Sequence, residues 1–130
     1  MEFIYPRYDN NSIVNLSAAI LKHFGAEIPS GVKGYSFTEN GLSLEGIEKL
    51  AVFVVDAVGY FNLLKVLESN RFKYFTREDV RMLTSVFPST TSSALTSIFT
   101  ASVPGEHGIL GYLQNIPEYG GLVNMIELTP

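Results

Sequence analysis

Three segments hold residues whose types and spacing could do chemistry. Asp56 directly follows the apolar run Ala51-Val52-Phe53-Val54-Val55. A carboxylate there sits at a strand's carboxyl end, where open α/β sheets bind ligands. As a hard oxygen donor it suits a divalent cation. It could equally cap the turn at Ala57-Val58-Gly59, and the run alone leaves both readings open. The second segment, Pro88-Ser89-Thr90-Thr91-Ser92-Ser93-Ala94-Leu95-Thr96-Ser97, follows another apolar stretch and enters a helix. Free N–H groups and the positive dipole end of a helix start attract a phosphate or other anion. A threonine hydroxyl is a poor nucleophile until a base or metal lowers its pKa. A metal held by Asp56 would do so. One N-cap explains one hydroxyl, so the run Ser89 to Ser93 points beyond capping. The third segment is Pro104-Gly105-Glu106-His107-Gly108-Ile109-Leu110-Gly111-Tyr112. Its glycines allow sharp turns. His107 could be a ligand or an acid, but bracing the loop through backbone hydrogen bonds is the preferred reading. Tyr112 reads as a half-buried aromatic of the next extended segment.

Several elements must position these groups. Asn11 or Ser12 can cap a helix over roughly 12–24, with apolar Ile13, Leu16, Ile20 and Phe24 on one stripe and Gly25 as its stop. His23 falls in the last turn, where a solvated or dipole-stabilising role is expected. Residues 28–50 read as loop, with a short helical turn at 44–49. Because 51–55 does not alternate, it reads as a central parallel strand buried on both faces. A helix carrying Phe61, Leu64 and Leu67 follows. Residues 82–87 read as a second strand closed by Pro88, and 92–101 as a third helix. The order predicts an α/β fold with a mainly parallel sheet. Residues 109–128 suggest two extended segments around Tyr119-Gly120-Gly121.

Composition narrows the functional classes. The 130 residues fit one domain, with a hydrophobic fraction of 46% and a charged fraction of only 17%. Some apolar surface is therefore expected to face another protein segment or another copy of the chain. With nine basic and thirteen acidic side chains and net charge −4, no footprint for a nucleic-acid polymer is expected. The chain has no cysteine, which removes thiol nucleophiles and zinc–thiolate sites. Met1 to Asp9 lacks the pattern of a secretory signal. The longest apolar run, 50–61, is interrupted by Asp56 and is shorter than the roughly 20 residues a bilayer span needs. A cytoplasmic protein without membrane contact is the expectation. P-loop, dinucleotide and nucleophile-elbow glycine motifs are absent.

Taken together, Val54-Val55-Asp56-Ala57-Val58-Gly59, the 87–97 segment and the 104–112 segment resemble the alkaline phosphatase superfamily, in its type I phosphodiesterase / nucleotide pyrophosphatase branch. The resemblance spans Val54 to Tyr112. It implies a three-layer α/β sandwich and a phosphoric-ester hydrolase acting on phosphate-ester or nucleotide small molecules. Asp56 would be a metal ligand. Thr91 would be both ligand and nucleophile, forming a phospho-threonine, with Thr90 the alternative if the register slips by one. The Ser92 backbone N–H would contact a phosphate oxygen. Two divalent ions, commonly zinc, would activate the nucleophile and stabilise charge on the substrate.

Three departures qualify the resemblance. Tyr112 stands where these enzymes usually place a phosphate-contacting asparagine, and by the resemblance its hydroxyl would take over that substrate contact; Ala101 replaces a common glycine. The family's remaining ligands, an Asp-x-x-x-His pair, an Asp-His and a later His, do not occur here. The chain is therefore expected to be the N-terminal portion of a larger catalytic domain, without internal boundary and inactive alone. The competing expectation is a non-catalytic α/β domain that binds an anion or a partner chain. A sulfatase- or phosphomutase-like relative is a third.

Overall fold

A computed structural model describes residues 4–29, 31–69, 72–127 and 129. Met1–Phe3, the start of the segment without a secretory pattern, and Leu128, at the end of the second extended segment, lie outside the described residues. Among the described residues four α-helices and two short strands follow one another: α1 (Ile13–His23), α2 (Tyr60–Glu68), α3 (Thr91–Thr100), α4 (Pro104–His107), β1 (Leu113–Ile116) and β2 (Gly121–Asn124).

The first helix begins where its sequence requires. Ser12 is the N-cap, its Oγ accepting the Asn15 N–H while the Asn15 side chain accepts the Ser12 N–H. The helix ends at Phe24, and Gly25 takes a left-handed φ of 78° that a side chain would disfavour. His23 is tied down rather than free in solvent: its Nε2 donates to the Ile47 carbonyl at 2.8 Å. That contact brings the 44–47 turn to the end of α1; the turn closes through Ile47 N–H to the Leu44 carbonyl and does not become a helix.

Asn15 anchors the surrounding chain. It is 0% exposed. Its Oδ1 accepts from Ser12 N–H at 2.9 Å and Ser12 Oγ at 2.6 Å. Its Nδ2 donates to the carbonyls of Tyr8 at 2.9 Å and Lys33 at 2.6 Å. Its own carbonyl accepts the Tyr35 N–H at 2.9 Å. One buried amide, with its side-chain donors and acceptor all satisfied, thus joins three separate stretches of chain.

The strands differ from expectation. Residues 51–55 follow no ladder and make no backbone hydrogen bond among the described residues. The segment is not buried on both faces: Phe53 is 87% and Val55 68% exposed. Residues 82–87 contribute a single isolated parallel bridge, Thr84 to Ser12, framed by Ile13 N–H to the Thr84 carbonyl and Thr84 N–H to the Asn11 carbonyl, each 3.0 Å. Among the described residues the expected mainly parallel sheet is therefore replaced by mixed helix and strand with one small antiparallel sheet. The physical reason is that an apolar, β-branched run records a preference for burial. A strand also needs a hydrogen-bonding neighbour, which the run does not encode.

The C-terminal hairpin matches its expectation. β1 and β2 pair antiparallel from Leu113 opposite Asn124 to Ile116 opposite Gly121. The turn uses a 3₁₀ step at Pro117–Tyr119, with Gly120 at φ 86° and Gly121 at φ 136°. The third helix starts at Thr91, one residue before the expected range. It packs on α1, and both helices bury small side chains: Ser17 and Ala18 on α1, Ser93 and Ser97 on α3. Small residues let two helix backbones approach closely. Much of the hydroxyl run thus serves packing.

Replacing Asn15 by Leu leaves the Tyr8 and Lys33 carbonyls and the Ser12 N–H without partners. We expect a loss of roughly 3 kcal/mol in a urea unfolding titration. A loss below about 0.5 kcal/mol would show that Asn15 does not hold these segments.

Candidate active site

The site is assembled by two turns. Asp56 ends the apolar run, and Ala57 takes a φ of 60°, a left-handed conformation that costs a non-glycine residue about 1 kcal/mol. The chain turns there, and Gly59 opens α2 without a side-chain cap. The Asp56 Oδ1 accepts the Ala57 N–H at 2.8 Å, which fixes the carboxylate at the turn. On the other side, the Tyr8 hydroxyl accepts the Phe87 N–H at 2.9 Å, and the chain passes through a cis Phe87–Pro88 bond into α3.

The α3 start assigns each hydroxyl a place. Thr90 is the N-cap, its Oγ1 accepting the Ser93 N–H at 3.4 Å. Thr91, the first helical residue, donates its hydroxyl to Asp56 Oδ2 at 3.3 Å. Ser92 is buried and donates to the Gly111 carbonyl at 2.8 Å. The Thr91 and Ser92 backbone N–H groups have no acceptor among the described residues and stand at the positive end of the helix. The structure therefore brings Asp56 together with Thr91, while Thr90 is occupied as a cap.

Asp56 and Thr91 open onto a cavity of about 600 Å³, walled largely by aliphatic side chains including Val54, Val58, Leu95 and Ile98. Asn62, Ser85 and Ser89 also line it. Sequence reasoning missed Asn62. Its signal was helical register, since a helix opening at Tyr60 carries Asn62 in the turn beside Asp56. The lining contains one carboxylate and no basic side chain. An anionic phosphoric ester would be repelled there unless a cation neutralised Asp56. The donors fit such an ion in kind, a carboxylate and a hydroxyl, both hard oxygens. Among the described residues, no group of three or more His, Cys, Asp or Glu could hold a metal ion.

The remaining candidates lie elsewhere. Tyr112 does not line the cavity; its hydroxyl accepts from Asn124 Nδ2 at 3.5 Å, and its carbonyl accepts the Met125 N–H at 2.8 Å. His107 takes the bracing role: its Nδ1 accepts the Ile109 N–H at 3.0 Å, and its Nε2 lies 2.9 Å from Ser97 Oγ. Ala101, at the glycine position, is the left-handed C-cap of α3 with φ 51°.

A threonine hydroxyl hydrogen-bonded to a carboxylate at a helix start thus faces a cavity whose lining has no basic side chain. The chain belongs to the type I phosphodiesterase / nucleotide pyrophosphatase family, whose model matches residues 50–123, more than half of its length. That family is one of hydrolases. No curated protein and no solved structure matches the chain. No helix among the described residues is long and apolar enough to cross a membrane.

Ala57→Gly removes the left-handed strain at an exposed position. We expect it to raise stability by about 0.5 kcal/mol, the relief being partly offset by backbone entropy gained in the unfolded chain. A lowered thermal midpoint would contradict the strained-turn reading.

Proposed function

We propose that Asp56 and Thr91 belong to the active site of a metal-dependent phosphodiesterase or nucleotide pyrophosphatase. The observation that carries this reading is the Thr91 hydroxyl donated to Asp56 Oδ2, at a helix start with free N–H groups and in a cavity without a basic side chain. Asp56 and Thr91 would hold a divalent ion, zinc by the family's habit, with a second ion completing the site. Such ions supply the positive charge that lowers the threonine pKa and balances the phosphate oxygens.

The chain's own groups then have defined tasks. Thr91 Oγ1 attacks phosphorus and loses its proton to the carboxylate side or to solvent. The bond from phosphorus to the leaving oxygen breaks, and that oxygen takes a proton from water. Thr91 carries the phosphoryl group until water cleaves it, restoring the hydroxyl. The Ser92 N–H, free at the head of α3, donates to a phosphate oxygen as charge builds. The aliphatic wall limits water and accepts the organic part of the ester.

Two oxygen donors do not fill a two-ion site. We therefore propose that the 130 residues form the N-terminal portion of a larger α/β catalytic domain that supplies the other ligands. The exposed, unpaired 51–55 segment is consistent with a strand awaiting neighbours, and the parallel sheet would form there. The same apolar surface would otherwise drive association between copies.

The full-length protein should hydrolyse aryl phosphodiesters or monoesters when zinc or manganese is added. Thr91→Ala should lower that rate by roughly 1000-fold or more; an unchanged rate would remove Thr91 as nucleophile. Asp56→Asn should lower the rate and raise the metal concentration needed for half-maximal rate. The 130-residue chain alone should show no metal-dependent turnover, and purified chain that turns over would contradict the divided ligand set. A second reading, anion binding without catalysis, is favoured only by the free N–H groups of α3. Phosphate bound tightly without metal, in a protein that hydrolyses no ester, would select it.

A further inference from the structure

Three side chains converge on the segment 108–111, and only one of them belongs to the site described above. Ser92 Oγ holds the Gly111 carbonyl at 2.8 Å from the head of α3. His107 accepts the Ile109 N–H on Nδ1. Gln114, on β1, closes the segment from the far side: its Oε1 accepts the Leu110 N–H at 3.1 Å and its Nε2 donates to the Gly108 carbonyl at 2.9 Å. Nearly every peptide of the segment is thereby bound to a side chain, and one of those side chains is the neighbour of Thr91.

The histidine contact fixes its own tautomer. Because Nδ1 accepts an N–H, it carries no proton, so the neutral ring carries its proton on Nε2 and donates it to Ser97 Oγ. Ser97 is 0% exposed on α3. His107 thus ties α4 and the following segment to the middle of α3, as Ser92 ties the same segment to its start.

We propose that His107 and Gln114 are positioning residues that hold segment 108–111 against α3 and, through Ser92, set the orientation of Thr91. The proposal rests on the reading of Thr91 as the reacting group. The device responds to acid. A proton added to Nδ1 would face the Ile109 N–H, turning an accepted hydrogen bond into a repulsive pair. Among the described residues Glu106 is the charged group acting on the ring, and it favours the charged form. Neither α3 nor β1 carries an ionisable side chain. Burial holds the His107 pKa below its usual 6.5, against Glu106 and the Ser93 carbonyl, which push it up. The sign follows from that lowered value. The brace is fully present above about 6.5 and is lost as pH falls from there through the lower folded pKa.

Amide hydrogen exchange on the 130-residue chain tests the geometry, with pH–rate profiles of the full-length protein beside it. In the wild type, after correction for intrinsic exchange, protection at Ile109 and Leu110 should fall as pH drops below 6.5. His107→Asn places an oxygen near the Nδ1 position, so the Ile109 N–H keeps an acceptor at every pH. Protection there should become independent of pH, and the acid limb of kcat should weaken in the same variant. Gln114→Leu, at a half-buried site, should lower protection at Leu110 and at the bonded amides of Ser93 and Ala94 at the start of α3 by about tenfold while α1 is unchanged. It should lower kcat more than KM. Identical pH dependence in wild type and His107→Asn, or a Gln114→Leu change spread evenly over all helices, would overturn the proposal. Activity surviving in Thr91→Ala would refute the catalytic reading instead, and leaves the exchange result intact.

Discussion

The buried amide of Asn15 is the constraint on which the rest of the described structure depends. It fixes Ser12, and Ser12 forms the parallel bridge with Thr84. Thr84 lies in the chain that enters α3, and α3 carries Thr91. The path from the first helix to the Thr91 hydroxyl is therefore short and made of directional bonds. An apolar residue at position 15 could fill the same space, but it could not specify the angle at which these segments meet.

The hydroxyl-rich run shows how one composition serves several physical needs. Thr90 caps, Thr91 faces Asp56, Ser92 latches the Gly111 carbonyl, and Ser93 and Ser97 are small enough to lie between helices. Only Thr91 meets the carboxylate. Capping at Thr90 also selects it, since a hydroxyl that accepts a backbone N–H at the N-cap is turned toward its own helix rather than the cavity.

Much of the local structure was legible in the sequence. The cap and stop of α1, the start of α3 to within one residue, and the hairpin turn at Gly120-Gly121 follow from short-range stereochemistry that the residues carry themselves. The bracing role of His107 was the preferred reading as well, at a place where flanking glycines let the backbone turn sharply. The pairing of 51–55 was not. Val52 to Val55 declare an apolar preference, yet the neighbour that would satisfy it is set by chain topology. Asn15 was also missed, since a polar residue on the first turn of a helix reads as solvent-facing until its four partners are seen. Tyr112 was placed by analogy of position, and the hairpin turns it toward Asn124.

The central claim is that Thr91, held by Asp56 at the start of α3, takes the phosphoryl group. Rapid acid quench of the full-length protein during turnover, followed by mass spectrometry of the peptide spanning 82–101, tests it most directly. The account predicts a phosphoryl mass on Thr91 that appears with substrate and decays as substrate is consumed. A modification on Thr90, or turnover with no covalent intermediate at any hydroxyl of the segment, would contradict it.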